Sequence, residues 1–206
     1  MQGKFISFEG TEGVGKTTAI EALITRLVDR GIQVVRTREP GGSELAEQLR
    51  QLFLNPNANM NADTEILLMF AARSDHLHQV ILPAIKSGKW VVSDRFFDST
   101  VAYQGFGRYH GKQTALAKIE LLIKQFVPIY PDVTLWLDLD VVMRMQRAAK
   151  RSAADRLEAN DIAFFERVYQ GLAYQHSQHA NRIHRIDANG TVAEVAARID
   201  TALGLD

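Results

Sequence analysis

The chain has 206 residues, 46% of them apolar, with 24 basic and 24 acidic side chains and no cysteine. It is long and apolar enough to build a sizeable core in one large domain, or in a domain with a small insertion, which excludes a disordered polymer. The balanced charge and missing thiols exclude a generally basic nucleic-acid binder, disulfides and cysteine metal sites. No apolar run nears about 18 residues and no charged-then-apolar leader comes first, so the expectation is no membrane partner, a mature start near Met1 and, by default, the cytoplasm.

Phe5-Ile6-Ser7-Phe8 predicts a buried strand, and Ile20, Leu23, Ile24, Leu27 and Val28 recur at helical spacing across a helix from Thr17 to Arg30. Between them residues 10–17 read Gly-Thr-Glu-Gly-Val-Gly-Lys-Thr, the phosphate-loop pattern G-x-x-x-x-G-K-[ST] in the strand-to-helix setting it requires. Its three glycines let the backbone turn N–H groups inward on an anion, and the helix start adds partial positive charge. Lys16 is spaced to reach the β- and γ-phosphates and the Thr17 hydroxyl to ligate Mg²⁺. The candidates for binding a nucleoside triphosphate are thus Gly10, Thr11, Glu12, Gly13, Val14, Gly15, Lys16, Thr17 and Thr18.

After Gly31, Ile32 to Thr37 predicts a second strand, ending in the turn signal Arg38-Glu39-Pro40-Gly41-Gly42. A helix from Ser43 to Leu54 and a polar loop, Asn55 to Asn61, precede a long helix from Thr64 to Lys86, capped by Asp63 and bent at Pro83. Trp90 to Ser93 is a third strand with Asp94-Arg95 at its carboxyl end. Asp98-Ser99-Thr100 leads a helical stretch to Tyr103-Gln104, then a glycine-bearing loop from Gly105 to Gly111, then a helix from Gln113 to Phe126. Val133 to Leu137 is a fourth strand closed by Asp138. Val141 to Ala149 and Asp161 to Ala180 are helical, Arg182 to Asp187 is a fifth strand with a charged face suited to an edge, and Thr191 caps a last helix to Leu203. Strands alternating with helices predict an α/β fold with a parallel sheet covered on both faces. Ligands then sit at the carboxyl ends of the strands, where the loops 10–17, 38–42, 94–100 and 138–140 converge.

A phosphate loop alone says only that a nucleoside triphosphate binds. A GTPase needs a guanine-reading N-K-x-D, which is missing. Arg38 and Arg95, each ending a strand, offer two planar forks to a second phosphate, although each could also be a surface ion pair. Asp94 could organise Mg²⁺ or its waters, or hold an arginine. Glu12 places a negative charge where phosphates bind, tolerable if it pairs with Arg or faces an acceptor. Met69, Phe70 and Arg73 can share a helix face, suited to stacking and hydrogen-bonding a planar base; periodicity alone favours the other reading, with Met69 and Phe70 as core and Arg73 as exposed. Tyr103 and Gln104 could read a sugar and a base edge. The stretch 144–156 is basic enough for a lid over the donor phosphates, or is a solvated helix.

In order across residues 8 to 158 stand F-E-G-x-E-G-x-G-K-T, T-R-E-P-G-G, M-F-A-A-R, D-R-F-x-D-S-T-x-A-Y-Q-G, P-D-x-T-L-x-L-D and a basic segment ending D-R-L-E. This combination resembles the bacterial thymidylate kinases. The resemblance implies a P-loop nucleoside-monophosphate kinase fold in a single domain over 1–206: a five-stranded parallel sheet flanked by helices, with a short lid segment at about 144–158. It implies γ-phosphoryl transfer from MgATP to dTMP, with dTDP and ADP as products, and a homodimer. It implies that Arg38 and Arg95 lie near the dTMP phosphate, that Glu12 lies near the acceptor sugar, and that Arg73 reads thymine. Ser99, Thr100, Tyr103 and Gln104 would touch the nucleoside, with Tyr103 crowding a ribose 2′-hydroxyl. Met69 stands where many relatives have an aromatic ring, with Phe70 one step later, so either could cover the base. The loop has no arginine at 11–14, so the lid is expected to supply the one that assists transfer, from Arg147, Arg151 or Arg156. Lys16, Asp94, Arg95, Arg147 and Arg151 are the catalytic candidates, Arg156 belongs with the ATP side, and Thr17 and Asp94 would serve the metal. Glu39-Pro40 would be cis. A kinase for another nucleoside monophosphate or for a deoxynucleoside, or a nucleotide-binding switch or regulatory protein, is the alternative.

Overall fold

A computed structural model of the chain describes residues 3–139 and 161–205. Five strands form one parallel sheet: β1 (Phe5–Glu9), β2 (Val34–Arg38), β3 (Trp90–Asp94), β4 (Val133–Asp138) and β5 (Ile183–Asp187), in the spatial order β2-β3-β1-β4-β5. The fifth strand is at an edge, as its charged face predicted. Phe8 of β1 and Arg38 of β2 both register with Asp94 of β3, so the loops that follow these three strands open side by side. That is the crevice at the carboxyl ends where such sheets bind ligands.

Side chains alternate across the sheet. Ile6, Phe8, Val92, Leu135 and Leu137 point to one face, where α1 (Lys16–Asp29) buries Ala19, Ile20, Leu23 and Leu27, and the last helix buries Ile199. Each large aliphatic group so buried contributes roughly 1.5–3 kcal/mol. Phe5 and Val91 point to the other face, against Ile66 and Phe70 of α3 (Ala62–His76) and Ile119 and Ile123 of a later helix. Between β2 and α3 lies α2 (Glu44–Leu54), which buries Ala46 and Phe53.

The long helix is not continuous. After α3 its hydrogen bonding widens into a π turn over Leu77–Ile81, where the N–H of Leu82 reaches the carbonyl of Leu77, before α4 (Leu82–Lys86). Pro83 has no N–H to continue the ladder, so the interruption precedes it. Asn61, rather than Asp63, caps α3, its side chain accepting from the N–H of Thr64 at 2.8 Å. Asp63 instead accepts from Tyr109 and Lys118.

The largest departure from the sequence reading follows β3. A short α5 (Phe97–Thr100) runs into a π-helical segment, Val101–Arg108, so Gly105 and Gly107 are helical rather than in a loop. A Cβ on Gly107 would stand 2.6 Å from the Phe164 ring, and one on Gly105 would stand 2.8 Å from Leu116. These glycines are there for close packing rather than for turning. Leu116 belongs to α6 (Gln113–Phe126) and Phe164 to α7 (Ile162–Gln178), which lies along the π segment. The last helix, α8 (Val192–Leu203), opens with a capping box between Thr191 and Glu194. The predicted helix 141–149 and the basic segment 144–158 lie outside the described residues.

Candidate active site

The loop after β1 bends through its glycines, as their spacing predicted. Gly10, Gly13 and Gly15 all have positive φ, and a Cβ on Gly10 would stand 2.8 Å from the carbonyl oxygen of Leu137, so no larger residue fits there. The Lys16 ammonium donates to the carbonyls of Gly10 at 3.0 Å and Thr11 at 3.3 Å, curled under the loop. Burial, reinforced by the charge of Arg95, pulls its pKa down to about 8. Lys16, Thr17, Arg38, Asp94 and Arg95 line one cavity; Thr17 is exposed, as is Thr18 beside it. Arg38 is half exposed and ion-paired with Glu47 at 2.8 Å. Asp94 keeps one buried carboxylate oxygen, Oδ1, without a hydrogen-bond partner. An orphaned carboxylate oxygen and a threonine hydroxyl on one cavity fit Mg²⁺, which takes oxygen ligands and fills the rest of its octahedron with water and phosphate. Among the described residues no cluster of three His, Cys, Asp or Glu side chains could hold a metal by itself.

Glu12 turns away from the phosphate side. Its carboxylate accepts from Arg95 at 2.7 Å and from the Tyr103 hydroxyl at 2.8 and 2.9 Å. Burial alone would raise its pKa, but Arg95, Lys16 and the Tyr103 hydrogen bond outweigh it and hold the carboxyl below its ordinary range. Arg95 has φ 75°, a left-handed conformation that is costly for a side-chain-bearing residue. The strain is held by neighbours on both sides. The N–H of Arg95 donates to Phe8 at 2.8 Å, Ser93 donates to its carbonyl at 2.7 Å, and the guanidinium donates to Ser99 at 3.0 Å. Glu9, fully buried at the end of β1, accepts from the N–H of Phe96 at 2.8 Å and the hydroxyl of Ser99 at 2.5 Å. Desolvation, with Asp98 adding to it, pushes Glu9 up to about 7.

A second cavity adjoins the first across Glu12 and Arg95. Its floor is Arg73, only 3% exposed, so the reading of Arg73 as a surface residue is overturned. The guanidinium lies between the rings of Phe70 and Phe96, at 5.0 and 5.4 Å. It donates to Glu39 at 2.7 Å and to Thr100 at 2.9 Å. Its remaining nitrogen, Nη1, is buried and has no partner. Glu39, which precedes the cis Pro40, also meets the buried His76 at 3.1 Å, and His76 meets Thr37 at 2.6 Å. A carboxylate accepts, so the His76 ring donates to Glu39 from Nδ1. Met69 lines this cavity with Phe96, Pro40 and Phe53, whereas Phe70 packs in the core behind Arg73. Tyr103 and Gln104 close the far wall.

The chain has counterparts along most of its length. The thymidylate kinase family model matches residues 8–199. The thymidylate kinase of Psychrobacter sp. PRwf-1 is 64% identical over 197 residues, 96% of this chain and 95% of that protein. That of Acinetobacter baylyi is 50% identical, covering 89% and 90% of the two chains. The crystal structure of thymidylate kinase from Ehrlichia chaffeensis superposes with a TM-score of 0.80 at 31% identity, covering 99% of both chains. The chain belongs to the thymidylate kinase family. It is therefore a kinase that phosphorylates thymidylate (dTMP), and ATP as donor and dTDP as product follow from the family.

In this thymidylate kinase fold the structure gathers Glu12, Arg38, Met69, Arg73, Arg95, Ser99, Thr100, Tyr103 and Gln104 around the two cavities. Phe70 stands apart, touching Arg73 from behind. Arg147, Arg151 and Arg156 lie outside the described residues. Sequence reasoning missed Glu39, Phe96, Phe53, Arg50 and Glu9. Glu39 sat inside a motif read as a turn and as part of the family resemblance, with no role given to its side chain, and a carboxylate between a strand-ending arginine and a proline was its one signal. Arg50 donates to the Pro40 carbonyl at 2.8 Å and lines both cavities. Nothing in a run of apolar letters distinguishes Phe96 from core.

Proposed function

We propose that the chain, as a single kinase domain over 1–206, moves the γ-phosphoryl group of MgATP, held in the loop cavity, to the phosphate of dTMP, held over Arg73. The observation that carries this division is the unpartnered donor of Arg73 in a cavity that meets the phosphate loop across Glu12 and Arg95. A buried N–H without an acceptor is costly unless a ligand supplies one, and the O4 carbonyl of thymine is such an acceptor. Met69 and Phe96 would cover the faces of the base, and Gln104 would take its N3–H.

Lys16 and the loop N–H groups would hold the β- and γ-phosphates, with Lys16 leaving the Gly10 and Thr11 carbonyls for the nucleotide. Thr17 and Asp94 would hold Mg²⁺, which supplies charge neutralisation at the phosphates when bound. Arg95, and Arg38 once it releases Glu47, would hold the acceptor phosphate in line. Glu12 fixes Arg95 and Tyr103, and Tyr103 then crowds the position of a ribose 2′-hydroxyl. Positioning and charge stabilisation do the catalysis, without a covalent intermediate. An arginine of the basic segment 144–158 would complete the charge on the transferring group.

Exposed leucines on neighbouring helices, Leu67 on α3 at 61% and Leu121 on α6 at 57%, support a homodimer, which sedimentation at equilibrium tests. Among the described residues no helix is long and apolar enough to cross a membrane, in keeping with a cytoplasmic reading. The deciding assay couples ADP formation to each of dTMP, dUMP, dCMP, dGMP and thymidine. ADP formation that is fastest with dTMP and needs both Mg²⁺ and the monophosphate is expected; ADP formation indifferent to the acceptor would overturn the reading.

A further inference from the structure

Gln104 is 2% exposed, lines the acceptor cavity, and has a side-chain amide that is ambiguous in principle: one end donates and the other accepts. Which end faces a ligand decides whether the cavity suits a thymine edge or a cytosine edge. Thymine presents an acceptor at O4 and a donor at N3. Cytosine presents a donor at N4 and an acceptor at N3, the opposite pattern.

Behind Gln104, outside the cavity lining, stands Glu65 of α3, 1% exposed. The Gln104 Nε2 donates to Glu65 Oε2 at 3.1 Å. Arg108 donates from Nε to the two oxygens of the same carboxylate at 3.1 and 3.3 Å, and its guanidinium lies 4.7 Å over the Phe164 ring. A carboxylate that takes an arginine N–H on both oxygens is an acceptor. The amide of Gln104 therefore has one orientation that satisfies Glu65, and that orientation leaves Oε1 for the cavity.

We infer that Glu65 is a specificity-setting positioning residue: by binding the NH₂ end of Gln104 it turns the acceptor end toward the base and makes the pair Arg73 donor, Gln104 acceptor complementary to thymine or uracil and mismatched to cytosine. The inference rests on the assignment of dTMP to this cavity. Glu65 stands outside the cavity lining and reaches the base through Gln104. It does not distinguish thymine from uracil, whose edges are the same.

The test is Glu65→Gln. Residue 65 would then accept from Arg108 with its carbonyl and offer NH₂ to Gln104, whose amide flips and turns a donor on the base. For dTMP, kcat/KM is expected to fall about tenfold or more, as for a site whose polar group is left unpaired, mostly through KM. KM for ATP stays put. The dTMP-to-dCMP ratio of kcat/KM falls, and the dTMP-to-dUMP ratio does not change. The swap Glu65→Gln with Gln104→Glu returns an acceptor to the cavity and is expected to recover part of the dTMP-to-dCMP ratio. Glu65→Asp, which draws the carboxylate back by one methylene, is the second variant should Glu65→Gln fail to fold, and it is expected to lower the same ratio by less. An equal loss for dTMP and dCMP, an unchanged ratio in whichever variant folds, or a swap no better than Glu65→Gln would overturn the inference. Wild-type chain that forms no ADP with dTMP would instead overturn the underlying assignment of function, so the two failures are distinct.

Discussion

The loop cavity, proposed here for the donor, and the Arg73 cavity, proposed for the acceptor, are built on opposite plans. The donor side is one contiguous stretch, residues 10–17, that bends through glycines of positive φ, a form of backbone suited to turning N–H groups toward an anion. The acceptor side is side chain, drawn from the β2 loop, α2, α3, α5 and the π segment, and its charges are buried in pairs. A backbone cradle recognises phosphate and little else. Discrimination between bases needs single donors and acceptors held without freedom, and those have to be buried and tied down from behind. The difference teaches that substitutions on the two sides should fail differently: chemistry on one, recognition and stability together on the other.

The sharpest break is Lys16→Ala. It removes the cation from the loop while every core contact of α1 remains, so turnover is expected to fall by about a hundredfold to a thousandfold with the melting temperature nearly unchanged. Binding of dTMP, measured by calorimetry without ATP, should survive. A variant with near-normal turnover would remove Lys16 from the donor side.

Arg73→Ala should fail the other way. KM for dTMP is expected to rise by about tenfold to a hundredfold with KM for ATP unchanged, as for loss of one buried hydrogen-bonding group in a polar site. It also leaves Glu39 buried at 5% exposure with His76 but without its guanidinium, so stability is expected to fall by about 3–5 kcal/mol in urea titration. Equal losses toward both substrates would place Arg73 outside the acceptor site.

These contrasts also explain what the chain's letters disclosed. The donor loop is local, so its pattern, its flanks and its candidate metal hydroxyl could be read together. Glu12 was legible as an anomaly, since a carboxylate among phosphate ligands asks for a cation, and Arg95 answers it at 2.7 Å. Arg73 was legible only through the family resemblance, because helical periodicity cannot tell a buried arginine stacked between Phe70 and Phe96 from one in water. Glu39, Glu65 and Glu9 were not legible at all. They act through other residues across 34, 39 and 90 positions of chain, and a lone carboxylate carries no mark of its partner. The five strands and their parallel alternation, in contrast, follow from apolar runs and crossover helices that need no long-range knowledge.

A smaller effect sits at the seam between the cavities. Glu9 holds the N–H of Phe96 and the hydroxyl of Ser99, which in turn takes a hydrogen bond from Arg95. Its pKa is raised from 4.5 to about 7, so between those values the folded chain keeps a proton that the unfolded chain releases. Stability therefore falls as pH rises through that window, at up to about 1.4 kcal/mol per pH unit from this group, and levels off above it. Glu9→Gln keeps an acceptor for Phe96 but cannot ionise. Denaturation midpoints of the variant should lose that slope between pH 5 and 7. A variant with the same slope as the parent would assign it to other groups.

The mildest expected effect on catalysis comes from the packing that positions Tyr103 and Gln104. Gly171 of α7 lies against the π segment so closely that a Cβ there would stand 2.6 Å from the Cα of Ala102, a backbone atom that cannot swing aside. Gly171→Ala must push the two segments apart or tilt one of them. Overpacking of this kind costs about 1–3 kcal/mol, and here it displaces the neighbour of the acceptor wall while leaving the loop 10–17 alone. KM for dTMP should rise by a few-fold, KM for ATP should not move, and adding saturating dTMP should restore part of the lost melting temperature, because a ligand that binds only the folded chain stabilises it. If Gly171→Ala instead weakens ATP and dTMP alike, the acceptor wall and the donor loop are mechanically joined, and the separation of the two plans is less complete than their construction implies.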